Sequence, residues 1–505
     1  MMLEFENNKE KLFTFLGRFR ESGVLNHING ESIKADNKKS FENISPIDLK
    51  KICDVSRSGL SDVNLAVSSA KNAFLEWSSF PGQERKKILH NIATSIEERA
   101  HEIALIESFD TGQSLRFMSK AALRGAANFR YFADQAPYGR DGESTFTNSQ
   151  TNMTMRFPIG PVGIITPWNT PFMLSTWKIA PALASGCTIV HKPAEFSPLT
   201  AKILVEIAED AGLPKGVWNT VNGYGEEAGK SLTEHPDIKA ISFVGESATG
   251  SMIMKQGANT LKRVHFELGG KNAVVVFEDA DLERAADAVV FMIYSLNGER
   301  CTSSSRLLVQ ESIREKFVEM VKQRAEKIVV GHPLDPNTTV GPLIHPIHEE
   351  KVKNYFEIGK NEGATLLTGG SVEGPGGGPY IAPTIFTNVS KDMRIAKEEI
   401  FGPVLVVLSF ESEVEALDIV NDSEYGLAGY LWTQNVTRAF QFSQSMEAGM
   451  IWVNSENVRH LPTPFGGIKS SGIGRDGGDW SFDFYMETKN ISFATTKHKV
   501  PKLGV

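Results

Sequence analysis

The chain has 505 residues, of which 41% are hydrophobic and 23% are charged, a composition typical of a globular protein with several domains. Its 53 basic and 61 acidic residues give a formal charge of −8, and no basic stripe interleaved with aromatic residues occurs, which argues against nucleic acid as a partner. Three cysteines, no apolar run of about 18 residues and no signal-peptide core predict a cytoplasmic protein without a membrane span.

Helices are predicted early in the chain. The first 60 residues are polar and carry turn signals, and they are followed by apolar residues that recur at i, i+3 and i+4 over 61–108. Another helix is expected over about 114–134.

Short apolar segments then alternate with helical patterns from Gly160 onward. This alternation is typical of parallel βαβ units in a doubly wound sheet, whose crevice at the carboxyl ends of the strands binds nucleotides. The predicted strands are PVGIIT, CTIVHK, VWNTV, KAISFV and RVHFEL.

A second α/β region is predicted from about Ala273 to Gly474, and the glycine-rich segment Gly369–Gly378 is expected to be a flexible loop within it. Segments 146–157 and 484–497 alternate like strands but belong to neither sheet. Exposed strand edges of this kind favour pairing, often with another subunit. The strands predicted in the second region are AVVVF, RLLVQ, TIFTNV and VLVVLSF.

One glycine pair follows a predicted strand. The fingerprint G-x-G-x-x-G is absent, but Gly245 and Gly250 in FVGESATG open a helix after KAISFV, where backbone N–H groups can receive a phosphate. The alternative is an ordinary strand-to-helix turn.

Three residue types point to covalent chemistry. Cys301 lies in NGERCTSSSR and is a candidate nucleophile, although a buried structural thiol is the alternative, as Cys187 exemplifies. Glu267 ends a predicted strand beside glycines and could face a crevice, or be a surface residue. Asn169 lies between two prolines and could donate from its amide, or close an Asx-turn.

Two histidines, His345 and His348 in HPIH, lack a third ligand at suitable spacing. We therefore predict no metal site there and interpret both as solvated loop residues.

Together these segments resemble the aldehyde dehydrogenase superfamily over about residues 40–495. The motifs that carry the resemblance, in family order, are PWNTPF (167–172), HKPAE (191–195), FVGESATG (243–250), FELGGKN (266–272), GERCTS (298–303), EEIFGPV (398–404) and PFGGIKSSG (464–472).

The resemblance implies an α/β fold of three parts. These are a Rossmann-like cofactor domain (1–138 and 159–267), an α/β catalytic domain (268–483) and a small β oligomerisation arm (139–158 and 484–505). A homo-tetramer or homo-dimer is expected.

The resemblance also implies catalytic roles. Cys301 would attack an aldehyde, the Asn169 amide and the Cys301 N–H would hold the oxyanion, and Glu267 would activate the water that hydrolyses a thioester.

NAD is the implied cofactor, with NADP possible. Lys192 and Glu195 would bind the adenosine ribose, and a carboxylate at Glu195 favours NAD. Glu246 stands where many members carry serine and is expected to point to solvent. The residues expected to bind the cofactor are Ile165, Trp168, Lys192, Glu195, Gly225, Gly245, Gly250, Leu268, Glu399 and Phe401.

At branch level the chain resembles 5-carboxymethyl-2-hydroxymuconate semialdehyde dehydrogenases, whose dianionic substrate requires cations. The residues expected to bind substrate are Arg124, Trp177, Arg459, His460 and Phe465. Ordinary surface charge is the alternative for the basic residues.

Other functions remain open. One is a broad or different aldehyde specificity, as for betaine aldehyde or another semialdehyde. Acyl transfer to coenzyme A is disfavoured by Glu267, and a catalytically silent binding protein is disfavoured by the presence of all three catalytic residue types.

Overall fold

Two large sheets form the frame of the protein, as seen in a computed structural model that describes residues 2–504. The strands before residue 270 are β1 (Asn26–Ile28), β2 (Glu31–Ile33), β3 (Ser40–Ile44), β4 (Lys51–Ser56), β5 (Ser144–Phe146), β6 (Gln150–Pro158), β7 (Pro161–Ile165), β8 (Thr188–Lys192), β9 (Trp218–Thr220), β10 (Ala240–Val244) and β11 (Arg263–Glu267). The later strands are β12 (Ala273–Val276), β13 (Arg306–Gln310), β14 (Thr365–Val372), β15 (Tyr380–Thr387), β16 (Val404–Phe410), β17 (Tyr425–Gly426), β18 (Ala428–Trp432), β19 (Met450–Val453), β20 (Ile468–Lys469), β21 (Gly472–Ile473) and β22 (Met486–Ala494).

Helices cover the faces of these sheets. They are α1 (Met2–Ser22), α2 (Leu60–Ser79), α3 (Gly82–Glu98), α4 (Ala100–Thr111), α5 (Leu115–Gln135), α6 (Pro171–Ser185), α7 (Leu199–Asp210), α8 (Lys230–Glu234), α9 (Ser247–Gly257), α10 (Leu282–Tyr294), α11 (Arg314–Ala325), α12 (Pro346–Asn361), α13 (Arg394–Lys397), α14 (Glu413–Asn421), α15 (Val436–Ser445) and α16 (Gly478–Tyr485).

The helical periodicity before residue 135 is confirmed by α2 to α5, whereas α1 was not predicted. Its buried apolar residues among those described are Leu12, Leu16 and Phe19, spaced at i, i+4 and i+7 in a largely polar helix. So narrow a stripe is a weak sequence signal, and packing against the core stabilises the helix.

The first sheet has eight strands in the order β2-β1-β9-β8-β7-β10-β11-β21, and β7 to β11 are parallel. Chain order runs outward in one direction from β7 and in the other from β10. This confirms the doubly wound, Rossmann-like arrangement, and a crevice is expected where the direction reverses.

The second sheet has seven strands in the order β14-β15-β16-β13-β12-β18-β19, and only β14 runs antiparallel. The expectation of a loop over Gly369–Gly378 is wrong at its start, because β14 extends through Val372. Strand pairing uses backbone groups, so glycines can join a ladder without a side-chain signal.

The two outlying segments form a third, antiparallel sheet in the order β22-β6-β5. Nine residues of β22 pair with β6, from Met486 opposite Pro158 to Ala494 opposite Gln150. Residues 484–485, predicted as strand, instead end α16. Met1 and Val505, which the predicted domain bounds include, lie outside the described residues.

Between residues 2 and 504 there is no helix with both the length and the apolar character to cross a bilayer.

Candidate active site

A cavity of about 230 Å³ opens where the first sheet reverses direction. Its wall includes the segment after β7, from Pro167 to Asn169, and the segment after β10, Gly245 and Glu246. Both segments follow the carboxyl ends of parallel strands, where backbone N–H groups and loop side chains converge. The crevice expected from the sequence is therefore present.

Five of the expected cofactor residues line this cavity: Trp168, Gly245, Leu268, Glu399 and Phe401. The Trp168 ring packs edge-to-face on Phe401, with centroids 5.4 Å apart. Glu399 Oε1 accepts a hydrogen bond of 2.9 Å from the Gly270 N–H, and burial raises the pKa of Glu399 to about 7.

The other expected cofactor residues do not line the cavity, although two of them lie on the same edge of the sheet. Ile165 pairs with Lys192 at the ends of β7 and β8. Lys192 Nζ lies 3.1 Å from Glu195 Oε2, and Lys192 is buried. The residues outside the lining are Ile165, Lys192, Glu195, Gly225 and Gly250.

The glycine at position 269 lets the Glu399 carboxylate approach the backbone beside the cavity. A Cβ on Gly269 would lie 2.2 Å from Glu399 Oε2, so a side chain there would displace the carboxylate. Aromatic rings and a carboxylate at a switch point of the sheet suit a dinucleotide.

Cys301 is placed by a strained turn after α10. Leu296, Asn297 and Gly298 all have positive φ, of 57°, 56° and 71°. A Cβ on Gly298 would lie 2.2 Å from the Gly402 carbonyl carbon, so only glycine fits there. Asn297 stabilises the turn by donating to the Pro342 carbonyl (2.9 Å) and accepting from the Gly341 N–H (2.8 Å).

The side chain of Asn272 holds the backbone around Cys301. Its Nδ2 donates to the carbonyls of Cys301 (2.7 Å) and Ser303 (2.8 Å), and its Oδ1 accepts from the Ala428 N–H (2.9 Å). Burial, together with the charges of Glu267 and Glu399, raises the pKa of the Cys301 thiol to about 12. The sulfur is therefore protonated at neutral pH in this state, and its activation requires a proton acceptor.

Asn169 does not form an Asx-turn. Its Nδ2 donates to the carbonyl of Glu299, 2.8 Å away and 130 residues distant in sequence, and Gln113 donates to its backbone carbonyl. An amide nitrogen carries two N–H groups, so one remains for a ligand. Cys301 and Asn169 line this cavity and also a second one behind it.

Glu267 is buried at the end of β11, so the surface alternative is wrong. Among residues 2–504, both of its carboxylate oxygens lack a hydrogen-bond partner, and its Oε1 lies 3.4 Å from His265 Nε2. His265 Nδ1 lies 3.6 Å from Asp476 Oδ1, and Lys178 Nζ lies 2.5 Å from Asp476 Oδ2. Burial raises the pKa of Glu267.

The second cavity has a volume of about 280 Å³ and lies on the far side of Cys301. It contains the predicted substrate residues Arg124, Trp177, Arg459 and Phe465. The full lining is Arg124, Ala127, Asn128, Asn169, Thr170, Met173, Leu174, Trp177, Leu296, Arg300, Cys301, Thr302, Asn457, Arg459, Leu461 and Phe465. Within the described part of the chain, this lining contains three arginines and no acidic residue.

Arg459 packs against two aromatic rings that contact each other. Its guanidinium carbon lies 3.6 Å from the centroid of Trp177 and 4.5 Å from that of Phe465. Its Nη2 is buried and has no hydrogen-bond partner among the described residues. Arg124, by contrast, is exposed. His460 lines a neighbouring pocket with Trp452 and is not brought to Cys301.

His348 contradicts its sequence interpretation as a solvated loop residue. It lies in the first turn of α12, lines the first cavity and has its Nε2 2.7 Å from the Phe401 carbonyl. Glu246 is exposed, as expected, with its carboxylate 3.9 Å from Lys351 Nζ.

Sequence reasoning missed Asn272, Asn297, His265 and Arg300. Asn272 stands in a quoted motif, and His265 shares a strand face with Glu267 at spacing i, i+2, so both carried a signal. The role of Asn297 depends on partners more than 40 residues away, which no local pattern indicates.

Known proteins resemble the chain over nearly its full length. The sequence profile of the Aldehyde dehydrogenase family matches residues 33–491. The 5-carboxymethyl-2-hydroxymuconate semialdehyde dehydrogenase of Escherichia coli is 43% identical over 465 residues, covering 90% of this chain and 98% of that protein.

Solved structures also resemble the chain over nearly its full length. The HpcC crystal structure from Thermus thermophilus has a TM-score of 0.97 and 47% identity, covering 98% of each chain. The betaine aldehyde dehydrogenase of Staphylococcus aureus, solved in complex with NAD+, has a TM-score of 0.94 and 35% identity, covering 98% of this chain and 100% of that one.

Proposed function

Because this chain belongs to the aldehyde dehydrogenase family, and is thus an aldehyde-oxidising oxidoreductase, we propose that its substrate is an anionic semialdehyde. The proposed substrate is 5-carboxymethyl-2-hydroxymuconate semialdehyde, which is oxidised to the carboxylic acid with NAD. The E. coli relative is named for this reaction, but identity of 43% alone does not transfer a substrate.

The observation that carries the proposal is the charge of the second cavity. Of the described residues, three arginines and no acid surround the side of Cys301 that faces away from the cofactor cavity, in a protein whose formal charge is −8. Cations concentrated in a cleft of an acidic protein attract an anionic ligand and raise its local concentration.

In the proposed mechanism, the Cys301 thiol gives its proton to solvent in the cavity, the sulfur attacks the aldehyde carbon, and the negative charge moves to the former carbonyl oxygen. The free N–H of the Asn169 amide and the backbone N–H of Cys301 stabilise that oxygen. NAD, when bound, supplies the acceptor for the hydride that the tetrahedral adduct loses. A thioester on Cys301 results.

Glu267 is the proposed base for thioester hydrolysis. Its raised pKa keeps the carboxylate basic enough to take a proton from water. Lys178, paired with Asp476, places a positive charge near the ionised Glu267. The water-derived hydroxyl joins the acyl carbon, and the Cys301 sulfur leaves and regains a proton.

The proposed cofactor contacts are made by residues that line the first cavity and by residues at the strand end beside it. Glu399 would accept hydrogen bonds from the ribose nearest the nicotinamide, and Phe401 and Trp168 would pack beside it. Lys192 and Glu195 would bind the other ribose, where the Glu195 carboxylate would repel a 2′-phosphate and favour NAD over NADP.

Betaine aldehyde is the main alternative, because a betaine aldehyde dehydrogenase shares the fold. Its quaternary ammonium would lie among three arginines, a repulsion that no acid in the described lining offsets. The lining therefore favours an anion.

A substrate panel tests the proposal. The rate of NADH formation is measured with the muconic semialdehyde, a neutral aldehyde of similar length and betaine aldehyde, for the wild type and for Arg459→Ala. We expect kcat/KM on the anionic aldehyde to fall about 30-fold in the variant, because a desolvated cation is removed. The neutral aldehyde should be affected less than about threefold, and equal losses on both would contradict anion binding.

A further inference from the structure

Arg300 is a guanidinium without a carboxylate partner in the cavity beside Cys301. It immediately precedes the nucleophile and lines the same 280 Å³ space. Across residues 2–504, no carboxylate oxygen lies within 4.0 Å of it, and its Nη1 has only Met292 Sδ nearby, at 3.2 Å. A thioether is a weak acceptor, so most of the five N–H donors are unused.

Among the described residues, an aromatic ring but no carboxylate lies beside the charge of Arg300. The guanidinium carbon lies 5.6 Å from the Phe291 ring centroid, and burial lowers the pKa of Arg300. Arg300 is half-buried, and a partly desolvated cation without a counterion is available to bind an anionic ligand. Such an anion can reach Arg300 through the cavity.

Arg300 and Arg459 occupy different walls of the cavity. Arg300 packs on Phe291 and Met292 of α10, whereas Arg459 packs on Trp177 of α6 and on Phe465. The charge of Arg124 lowers the pKa of both, so Arg124 lies in electrostatic range of each. The cavity therefore offers two separate positions for anionic groups, one at Arg300 and one at Arg459.

We propose that Arg300 binds a second carboxylate of the substrate and makes the enzyme select dicarboxylate over monocarboxylate semialdehydes. This inference rests on the proposed function. In the proposed substrate, the carboxymethyl group is attached next to the aldehyde carbon, while the other carboxylate ends the chain. The near carboxylate meets Arg300 beside Cys301, and the far one meets Arg459 and Arg124.

The test compares two aldehydes that differ only in that group: 5-carboxymethyl-2-hydroxymuconate semialdehyde and 2-hydroxymuconate semialdehyde. The ratio of their kcat/KM values is measured for the wild type and for Arg300→Met, which keeps much of the length of the side chain without its charge. Because the same thiol attacks both aldehydes, any effect of Arg300 on Cys301 cancels in the ratio. We expect the ratio to fall about 30-fold.

Two further variants serve as controls for the result with Arg300→Met. Arg300→Lys retains the charge without the two-pronged donor geometry, and it should give an intermediate ratio. Arg116→Met changes a residue on the same helix as Arg124 but outside the cavity, and it should leave the ratio unchanged. Thermal unfolding and NAD binding of each variant are measured first, and Arg300→Lys carries the test if Arg300→Met does not fold.

The outcomes separate the two proposals. A wild type that oxidises the dicarboxylate preferentially, with an unchanged ratio in Arg300→Met, overturns the role of Arg300 and leaves the proposed function standing. A wild type that oxidises both aldehydes equally well also overturns it, because Arg300 then selects neither substrate. A wild type that does not oxidise the dicarboxylate removes the proposed function itself, together with this inference.

Discussion

At the scale of single residues, burial sets the chemistry of the site. Burial raises the pKa of the Cys301 thiol and of the carboxyl groups of Glu267 and Glu399, so each favours its protonated form. The thiol is the group that must give up a proton, and a carboxylate of increased basicity is suited to taking one from water. Perturbed groups that meet in one cleft are typical of catalysis.

Replacing Glu267 with glutamine should separate the two halves of the reaction. The amide cannot accept a proton from water, so thioester hydrolysis should slow about 100-fold, while the first turnover still forms NADH. Stopped-flow absorbance should then show a burst of NADH close to one per site, followed by a slow steady state. An unchanged steady-state rate would remove Glu267 from the mechanism.

The pH profile provides a control for that variant. Because the pKa of Glu267 is raised, its carboxylate is lost as pH falls, at a higher pH than for an ordinary glutamate. The steady-state rate of the wild type should fall over that range. The slow hydrolysis step of Glu267→Gln should lack this dependence.

At the scale of elements, the site is assembled from segments that end at the same place. The ends of β7, β10 and β11 supply Asn169, Gly245 and Glu267, and the turn after α10 supplies Cys301. The positions of Asn169, Gly245 and Glu267 follow from the predicted strands, whereas the position of Cys301 does not. Cys301 belongs to the region of the second sheet, and the side chain of Asn272 holds it by donating a hydrogen bond to its carbonyl.

Replacing Asn272 with alanine should therefore loosen the segment around Cys301. Three buried backbone groups would lose their partners, at a cost of about 3 kcal/mol in the free energy of unfolding. Urea denaturation measures that loss, and kcat should fall because the nucleophile is less well positioned. The exposed Asn490→Ala serves as a comparison, and a stability equal to wild type in Asn272→Ala would contradict the anchoring role.

At the scale of the whole molecule, the β5-β6-β22 sheet presents exposed apolar side chains on one face, beside Lys489 and Glu487 of β22. Met153, Met155 and Phe157 alternate along β6 on that face and are all exposed, with Phe493 of β22 on the same side. The other face carries Asn152, Thr154 and Arg156, and Arg156 pairs with acids of α16. An apolar sheet face of this kind requires a cover.

We propose that a second copy of the chain covers this face, as expected for an oligomerisation arm. Met155→Glu combined with Phe157→Glu should shift the sedimentation coefficient from oligomer to monomer, because two charges would be desolvated at the interface. Asn490→Glu, on the polar face, should leave the oligomer intact. A monomeric wild type would contradict the proposal.

The three domains predicted from the sequence can be compared with the three sheets. We propose that the first sheet, the second sheet and the arm correspond to the cofactor, catalytic and oligomerisation units defined from the sequence. The cavities between the two sheets then lie at a domain interface, where ligand sites commonly occur.

Local patterns in the sequence determined helices α2 to α5, the parallel strands β7 to β11 of the first sheet, four strands of the second sheet and the family. These are features of period and motif, and they need only neighbouring residues. The tertiary structure decided which residues share a cavity, because Arg300, Arg459 and Arg124 meet only when three distant elements pack together. It excluded His460 from that cavity and brought His348 to Phe401, since contact and burial are properties of the folded chain and not of any short segment.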